Sequence, residues 1–83
     1  MRAHVTLDAI TYDWDKAGAI TRDSNARWES GELEITVYFT GSNVTFGRFT
    51  IDHTGRLLNH SAPDPATART LDALARIIYP ELL

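Results

Sequence analysis

The residues best suited to chemistry in this sequence are two aspartates separated by a single residue, Asp13 and Asp15. Carboxylates are the ligands that hard cations such as Ca²⁺ prefer, and Ca²⁺ takes about six to eight oxygens. Gly18 follows three residues after Asp15 and allows a sharp turn, and Thr21 adds a hydroxyl oxygen. Residues 13–24 therefore form a candidate cation-binding loop.

The order of residues in this segment resembles the calcium loop of the EF-hand family. Asp13 and Asp15 match the first and third positions of that loop, and Gly18 matches the sixth. The fifth position is Ala17 and the twelfth is Ser24, where the family uses a bidentate glutamate. The resemblance implies a low-affinity, calcium-like metal or ligand site. The alternative is a polar turn in which the two aspartates accept backbone N–H groups.

Other reactive side chains form no recognisable catalytic pattern. The chain has no cysteine, and its histidines, His4, His53 and His60, do not have the spacing of a metal-binding motif. No serine lies in a Gly-x-Ser-x-Gly sequence, and no glycine-rich phosphate loop is present. We therefore expect neither a catalytic residue nor a bound cofactor, and a protein that is not an enzyme.

Length and composition limit the elements that could position these residues. The chain has 83 residues and a net charge of −3, which suits one small domain spanning residues 1–83 and gives no general attraction to nucleic acid. Its apolar runs are too short for a signal peptide or a membrane span. We expect a cytoplasmic protein that does not associate with membranes.

A β-hairpin is the clearest element in the sequence. Apolar and polar residues alternate from 32 to 40, and Gly41-Ser42 then suits a tight turn. The apolar positions of the next strand, 43–52, change phase, which predicts a β-bulge at Gly47-Arg48. The core positions that this hairpin predicts are Leu33, Ile35, Val37, Phe39, Phe46, Phe49 and Ile51.

Further strands are predicted on both sides of this hairpin. Val5, Leu7 and Ala9 alternate with polar neighbours and indicate an N-terminal strand. A turn at Ser30-Gly31 would join residue 32 to a strand ending at Glu29, with Trp28 and Ala26 on its core side. Residues 56–58 could form a short return strand, and residues 13–25 carry mixed signals.

The last part of the chain predicts a helix that begins with Asp64 as N-cap and Pro65 in the first turn. Apolar residues recur every three or four positions up to Ile78, and Pro80 ends the helix near Tyr79. The predicted fold class is α+β: an antiparallel meander of about four strands with one C-terminal helix packed on one face.

Because one helix covers one face of such a sheet, the other face or an edge is available to a partner. We expect a non-catalytic protein–protein interaction module that binds a protein partner or a second copy of itself. The candidate contact residues are Trp14, Glu34, Thr36, Tyr38 and Arg48. Small size, acidity and the absence of cysteine also resemble phage- or plasmid-encoded inhibitors of larger proteins.

Single-stranded nucleic-acid binding is a second alternative, because arginines interleaved with aromatic residues are typical of sheets that bind single strands. It would require Tyr38 and Phe49 to share a face with the arginines Arg22, Arg27, Arg48 and Arg56. The hairpin register places Phe49 on the core face and acidic residues on the exposed one. The sequence therefore favours a solvated surface of mixed charge over a nucleic-acid interface.

Overall fold

Five antiparallel strands follow one another along the chain, and a single helix completes the fold. In a computed structural model, which describes residues 2–83, the sheet order is β1-β2-β3-β4-β5. The elements are β1 (Ala3–Leu7), β2 (Ile10–Arg22), β3 (Trp28–Phe39), β4 (Thr45–Asp52), β5 (Leu57–His60) and α1 (Pro65–Leu82). The predicted α+β class is confirmed, but the sheet has five strands rather than about four.

The turn between β1 and β2 is made by Asp8 and Ala9, which the sequence prediction had assigned to a strand. Both residues have a positive φ, 51° for Asp8 and 65° for Ala9. Two successive residues of positive φ define the type I′ turn, whose twist matches that of antiparallel strands. Alanine is unusual at the second position because its Cβ crowds the backbone in the left-handed region.

Replacing Ala9 with glycine should therefore stabilise the protein. The left-handed conformation costs a non-glycine residue about 1–2 kcal/mol, and the extra freedom of glycine in the unfolded chain cancels about half of the gain. We expect the free energy of unfolding to rise by about 0.5–1 kcal/mol and the melting temperature by about 4 °C. The control is Ala17→Gly in β2, which has no positive φ to relieve and should destabilise. Equal effects at the two positions would contradict this account.

The predicted turn at Ser30-Gly31 is wrong, because β3 runs without a break from Trp28 to Phe39. The chain reverses earlier, in the loop from Asp23 to Arg27. Asp23 Oδ1 accepts the backbone N–H groups of Asn25 and Arg27, at 2.8 and 3.0 Å. This aspartate shapes the loop and leaves β2 and β3 as a long hairpin. Ala26 lies exposed in the loop and not on the core side of a strand.

The predicted register of the β3–β4 hairpin is confirmed in its central part, where Leu33 pairs with Ile51 and Ile35 with Phe49. The bulge is one residue earlier than predicted. Val37 pairs with Gly47 and Tyr38 with Thr45, so the extra residue is Phe46. The connection is also longer than a two-residue turn, because it extends from residue 40 to residue 44.

The hydrophobic core combines alternate residues of the strands with one side of the helix. Gly47 is buried, and a Cβ at this position would lie 2.9 Å from Leu71 Cδ1, so the helix closely approaches β4. The largest buried side chains are Phe49, Ile35, Ile51, Leu71, Leu74, Ile78, Leu82 and Val37. The predicted apolar stripe of the helix is thus in the core.

The helix begins as predicted but ends later. Asp64 accepts the backbone N–H of Thr67 at 2.8 Å, which is the expected N-cap hydrogen bond. Pro80 lies inside the helix, which continues to Leu82. A proline in a helix interior costs about 3 kcal/mol. Burial of Leu82, which is 2% exposed, offsets much of that cost because a buried leucine contributes about 1.5–3 kcal/mol.

The residues that alternate with the core positions form a second surface, called the polar face here. Side chains of successive strand residues point to opposite sides of a sheet, so these residues share one side. The part of this surface contributed by the three central strands includes Asp13, Asp15, Ala17, Ala19, Glu32, Glu34, Thr36, Tyr38, Arg48, Thr50 and Asp52.

Candidate functional site

Four of the five predicted contact residues lie together on the polar face. Glu34, Thr36 and Tyr38 are successive outward positions of β3, and Arg48 of β4 pairs directly with Thr36. A shallow depression of about 140 Å³ lies beside them, between Glu34 and Arg48 and the end of β5. These four residues therefore form one continuous surface.

Trp14 is the exception, because its side chain faces the core rather than the polar face. It pairs with Val37 on the core side of β2 and is only 6% exposed. Its indole N–H has no hydrogen-bond partner among the described residues. The sequence prediction had placed Trp14 in a polar turn, where a large aromatic side chain would be exposed. In a strand, its position next to Asp13 and Asp15 puts it on the opposite face from them.

Tyr38 is held in place on the polar face by two neighbours. The Arg2 guanidinium carbon lies 3.5 Å from the centre of the Tyr38 ring, within the range of a cation–π contact. The Tyr38 hydroxyl donates a hydrogen bond to Asp15 Oδ2 at 3.2 Å. The ring and the hydroxyl are therefore both restrained, although the side chain is still partly exposed.

Arg2 also connects this site to the loop between β3 and β4. Its Nη1 donates to the carbonyl oxygen of Ser42 at 2.6 Å, and its Nη2 donates to Asn43 Oδ1 at 2.9 Å. The same guanidinium thus stacks on Tyr38 and ties down the adjacent loop. Nothing in the sequence indicated this role, since Arg2 is forty residues away from Ser42.

Asp13 is the most buried polar side chain of this surface, and it also holds the loop between β3 and β4 in place. It is 6% exposed, and its Oδ1 accepts a hydrogen bond from His4 Nδ1 at 2.7 Å. Its Oδ2 accepts the backbone N–H of Gly41 at 3.0 Å. The Gly41 N–H, followed by the contacts of His4 and the charge of Arg2, holds the pKa of Asp13 below its ordinary value.

This lowered pKa predicts a loss of stability in acid. A carboxyl group with a lower pKa in the folded chain stabilises the protein above its unfolded pKa of about 3.9. That contribution is lost as the pH falls through the folded pKa. We expect the free energy of unfolding to fall less between pH 7 and pH 3 in Asp13→Asn than in the native protein. Urea unfolding at both pH values measures this.

A second variant provides the control for that measurement. The pKa of Asp64 is lowered by the N–H and hydroxyl of Thr67, and asparagine is an equally good N-cap. Asp64→Asn should therefore reduce the acid sensitivity while leaving the helix start intact. An unchanged acid sensitivity in Asp13→Asn would mean that the Gly41 and His4 contacts do not form in solution.

The candidate calcium loop does not have the conformation of a loop. Residues 10–22 form one strand, and the segment is flanked by strands rather than by helices. Asp13 and Asp15 face the same side but bond to His4, Gly41 and Tyr38. Within residues 2–83, no group of three or more His, Asp or Glu side chains is arranged to hold a metal ion. The expected loop conformation was therefore wrong.

The arginines proposed for nucleic-acid binding do not line one surface with the aromatic residues. Arg22 donates to the carbonyl oxygens of Ala26 and Leu82, and Arg27 forms an ion pair with Asp23. Phe49 is 1% exposed and belongs to the core. Of the set, Tyr38 and Arg48 share the polar face.

One end of the sheet carries exposed apolar side chains on its core side. Ile10 is 55% exposed, Phe39 47% and Val44 61%. Phe39 was predicted to be in the core, but it is the last residue of β3 and is about half exposed. Its ring contacts Phe46 edge-on, with 5.6 Å between the ring centres. We call Ile10, Phe39 and Val44 the apolar end.

These elements define a small α+β domain, a five-stranded meander followed by one helix. Comparison of the chain with protein-family models, curated proteins and solved structures found no match. Among residues 2–83, no helix combines the length and the apolar character needed to cross a membrane.

Proposed function

We propose that this protein is a non-catalytic interaction module that binds a protein partner through the polar face of its sheet. The observation that carries the proposal is the restrained Tyr38 side chain, stacked under Arg2 and hydrogen-bonded to Asp15. Tyrosine and arginine are the residue types most often found at the energetic centres of protein interfaces. A side chain that is already ordered loses less entropy on binding.

Arg48 extends this surface on the neighbouring strand. It is exposed, and it stands opposite Thr36 beside the shallow depression. A guanidinium in that position suits a carboxylate of the partner, because arginine binds carboxylates through two parallel hydrogen bonds. Glu34 and Thr36 complete a polar rim around Tyr38.

The helix and the apolar end fit the same proposal. The helix contributes its buried residues to the core side, and we take it to cover that face and to leave the polar face for the partner. Phe39 directly follows Tyr38, so a partner that grips this end of β3 would contact both sides of the sheet. The apolar end would supply the apolar contacts that a purely polar surface lacks.

The biological setting is part of the proposal. Small, acidic domains without cysteine are suited to the cytoplasm, and proteins of this kind encoded by phages or plasmids can inhibit a larger host protein. An inhibitor requires a rigid, exposed surface and no catalytic group. The restrained Tyr38 and the exposed Arg48 provide such a surface.

The test compares bound proteins across three matched versions of the chain. Tyr38→Ala with Arg48→Ala removes the proposed centre of the interface. Arg76→Ala, which breaks a solvent-exposed ion pair with Asp72 on the helix, is the control. We expect the native chain and the control to retain the same partner in cross-linking and affinity capture, and the double variant to lose it. Equal retention by all three folded proteins would overturn the proposal.

A further inference from the structure

The longest strand of the sheet has an unpaired edge. β1 pairs with β2 only from Ile10 to Trp14, whereas β3 pairs along the other side of β2 as far as Arg22. From Asp15 onward, no described strand lies on the β1 side of β2. The side chains from Lys16 to Ala19 are exposed there.

This edge is more accessible than the two outer edges of the sheet. An unpaired strand presents N–H and C=O groups that can hydrogen-bond to another strand. β1 and β5 have five and four residues, so their free edges are short. On β2, the Ala17-Gly18-Ala19 sequence has little side-chain bulk to shield the backbone. Its pairing with β3 has no register shift before Thr21, although Gly18 has a φ of +122°, outside the usual range for a strand.

We propose that the β2 edge binds the β2 edge of a second copy of this chain, in antiparallel orientation around a two-fold axis at Gly18. The two five-stranded sheets then form one continuous sheet. A closed two-fold arrangement of this kind pairs both β2 edges at once and leaves neither of them exposed for further growth.

The side chains select this register over its neighbours. Residues that are directly opposed in antiparallel strands have their side chains on the same face of the sheet. The only possible registers are therefore those in which core-side residues oppose core-side residues. With Gly18 on the axis, Lys16 opposes Ile20 and Ala17 opposes Ala19, and no like charges are directly opposed. With Ala19 on the axis, Lys16 would oppose Arg22, which is a repulsive pair.

The extent of β1 favours the same register. Pairing centred on Gly18 runs from Asp15 to Thr21 in each copy, and it stops where Trp14 is already paired with Ala3. A centre at Ala17 would leave a shorter stretch of β2 unobstructed by β1. The Gly18 register therefore fills the available edge.

The size of the contact predicts how tightly the copies associate. Edge-to-edge pairing of one short strand buries less than the roughly 1,200 Å² that separates weak from standard interfaces. We expect a reversible dimer that appears as the concentration rises from about 10 µM to about 1 mM. Sedimentation equilibrium of the native chain over that range gives the average mass.

A pair of charge variants tests both the contact and its register. Ala17→Lys with Ala19→Lys places lysines opposite each other across the axis, and each lysine also faces Glu34 or Glu32 of its own sheet, which supports folding. This variant should stay monomeric at concentrations where the native chain is dimeric. Ala66→Lys with Ile77→Lys adds the same charge to exposed helix positions and should still dimerise.

Mixing provides the decisive measurement. Ala17→Glu with Ala19→Glu places glutamates opposite Glu34 and Glu32 of the same sheet, so it is made together with Glu32→Gln and Glu34→Gln. This variant should also be monomeric, and its mixture with the lysine variant should form a heterodimer because each opposed pair then has opposite charges. A native chain that remains monomeric at about 1 mM, or a mixture that does not associate, would overturn the proposal. Tyr38→Ala with Arg48→Ala should dimerise normally, so loss of the polar-face partner and loss of the dimer are separate results.

Discussion

Replacing Gly31 with alanine should lower the free energy of unfolding by about 3 kcal/mol, close to the largest effect expected of a single added methyl group. Gly31 has a φ of +96°, where an alanine is strained. A Cβ there would also lie 2.6 Å from the carbonyl oxygen of Ala19 and 2.9 Å from the Cα of Ile20. Both atoms belong to the backbone of β2 and cannot move without separating the two strands.

Gly41→Ala measures the cost of the positive φ without the cost of steric overlap. Gly41 also has a positive φ, +71°, but no atom lies within 4 Å of a Cβ built on it. Its replacement should cost only about 1 kcal/mol, the penalty for the left-handed conformation. Chemical unfolding of both variants measures the difference. If the two substitutions cost the same, the close approach of β2 and β3 at Gly31 does not exist in solution.

Leu71→Ala should cost about 3 kcal/mol, and part of that cost should be recovered by a second substitution at Gly47. Leu71 is completely buried, and truncation of a buried leucine leaves a cavity. Gly47→Ala alone should cost about 1–2 kcal/mol, because its Cβ would lie 2.9 and 3.0 Å from the two Cδ atoms of Leu71. In the double variant, the new methyl group occupies space that the leucine vacated.

The expected result is a double variant about 1 kcal/mol more stable than the sum of the single effects predicts. Leu82→Ala is the matched control, since Leu82 is equally buried but lies at the other end of the helix. Its effect should add to that of Gly47→Ala. Additivity at Leu71 as well would show that the helix does not approach β4 as closely as the structure has it.

The sequence correctly predicted the features that depend on residues close together in the chain. Asp64 and Pro65 mark the start of the helix through their own backbone chemistry, so that boundary was predictable. The alternation from Leu33 to Val37 likewise determined the register of the central hairpin. These features depend on neighbours in the sequence and not on the rest of the fold.

Features that depend on contacts between residues far apart in the sequence were not predicted, or were predicted at the wrong position. The phase change of the apolar positions predicts a bulge at Gly47-Arg48, but the extra residue is Phe46, and Gly47 is constrained by the nearby Leu71. Beyond Trp14, the next two core-side positions of β2 are Lys16 and Gly18, which do not look like strand core residues, and only Ile20 after them is apolar. The C-terminal half of β2 could be recognised only from its partner β3.

The candidate site was predictable in part for the same reason. Alternation alone placed Glu34, Thr36 and Tyr38 on one face, and the hairpin register added Arg48. The contacts of Arg2 and His4 follow from the pairing of β1 with β2, where His4 stands opposite Asp13. That register was not evident in the sequence, because the Asp8-Ala9 turn lacks the usual glycine.

The order of strands in the sheet also bears on how the chain reaches its folded state. Each strand pairs with the strand that precedes or follows it in the sequence, so every strand pairing closes a short loop. Domains whose contacts are mostly local fold faster than β-sandwiches of similar size, because less chain entropy is lost before pairing begins. The β2–β3 hairpin is the longest of these pairings and is a natural first structure. The helix, last in the chain, can then dock on a sheet that has already formed.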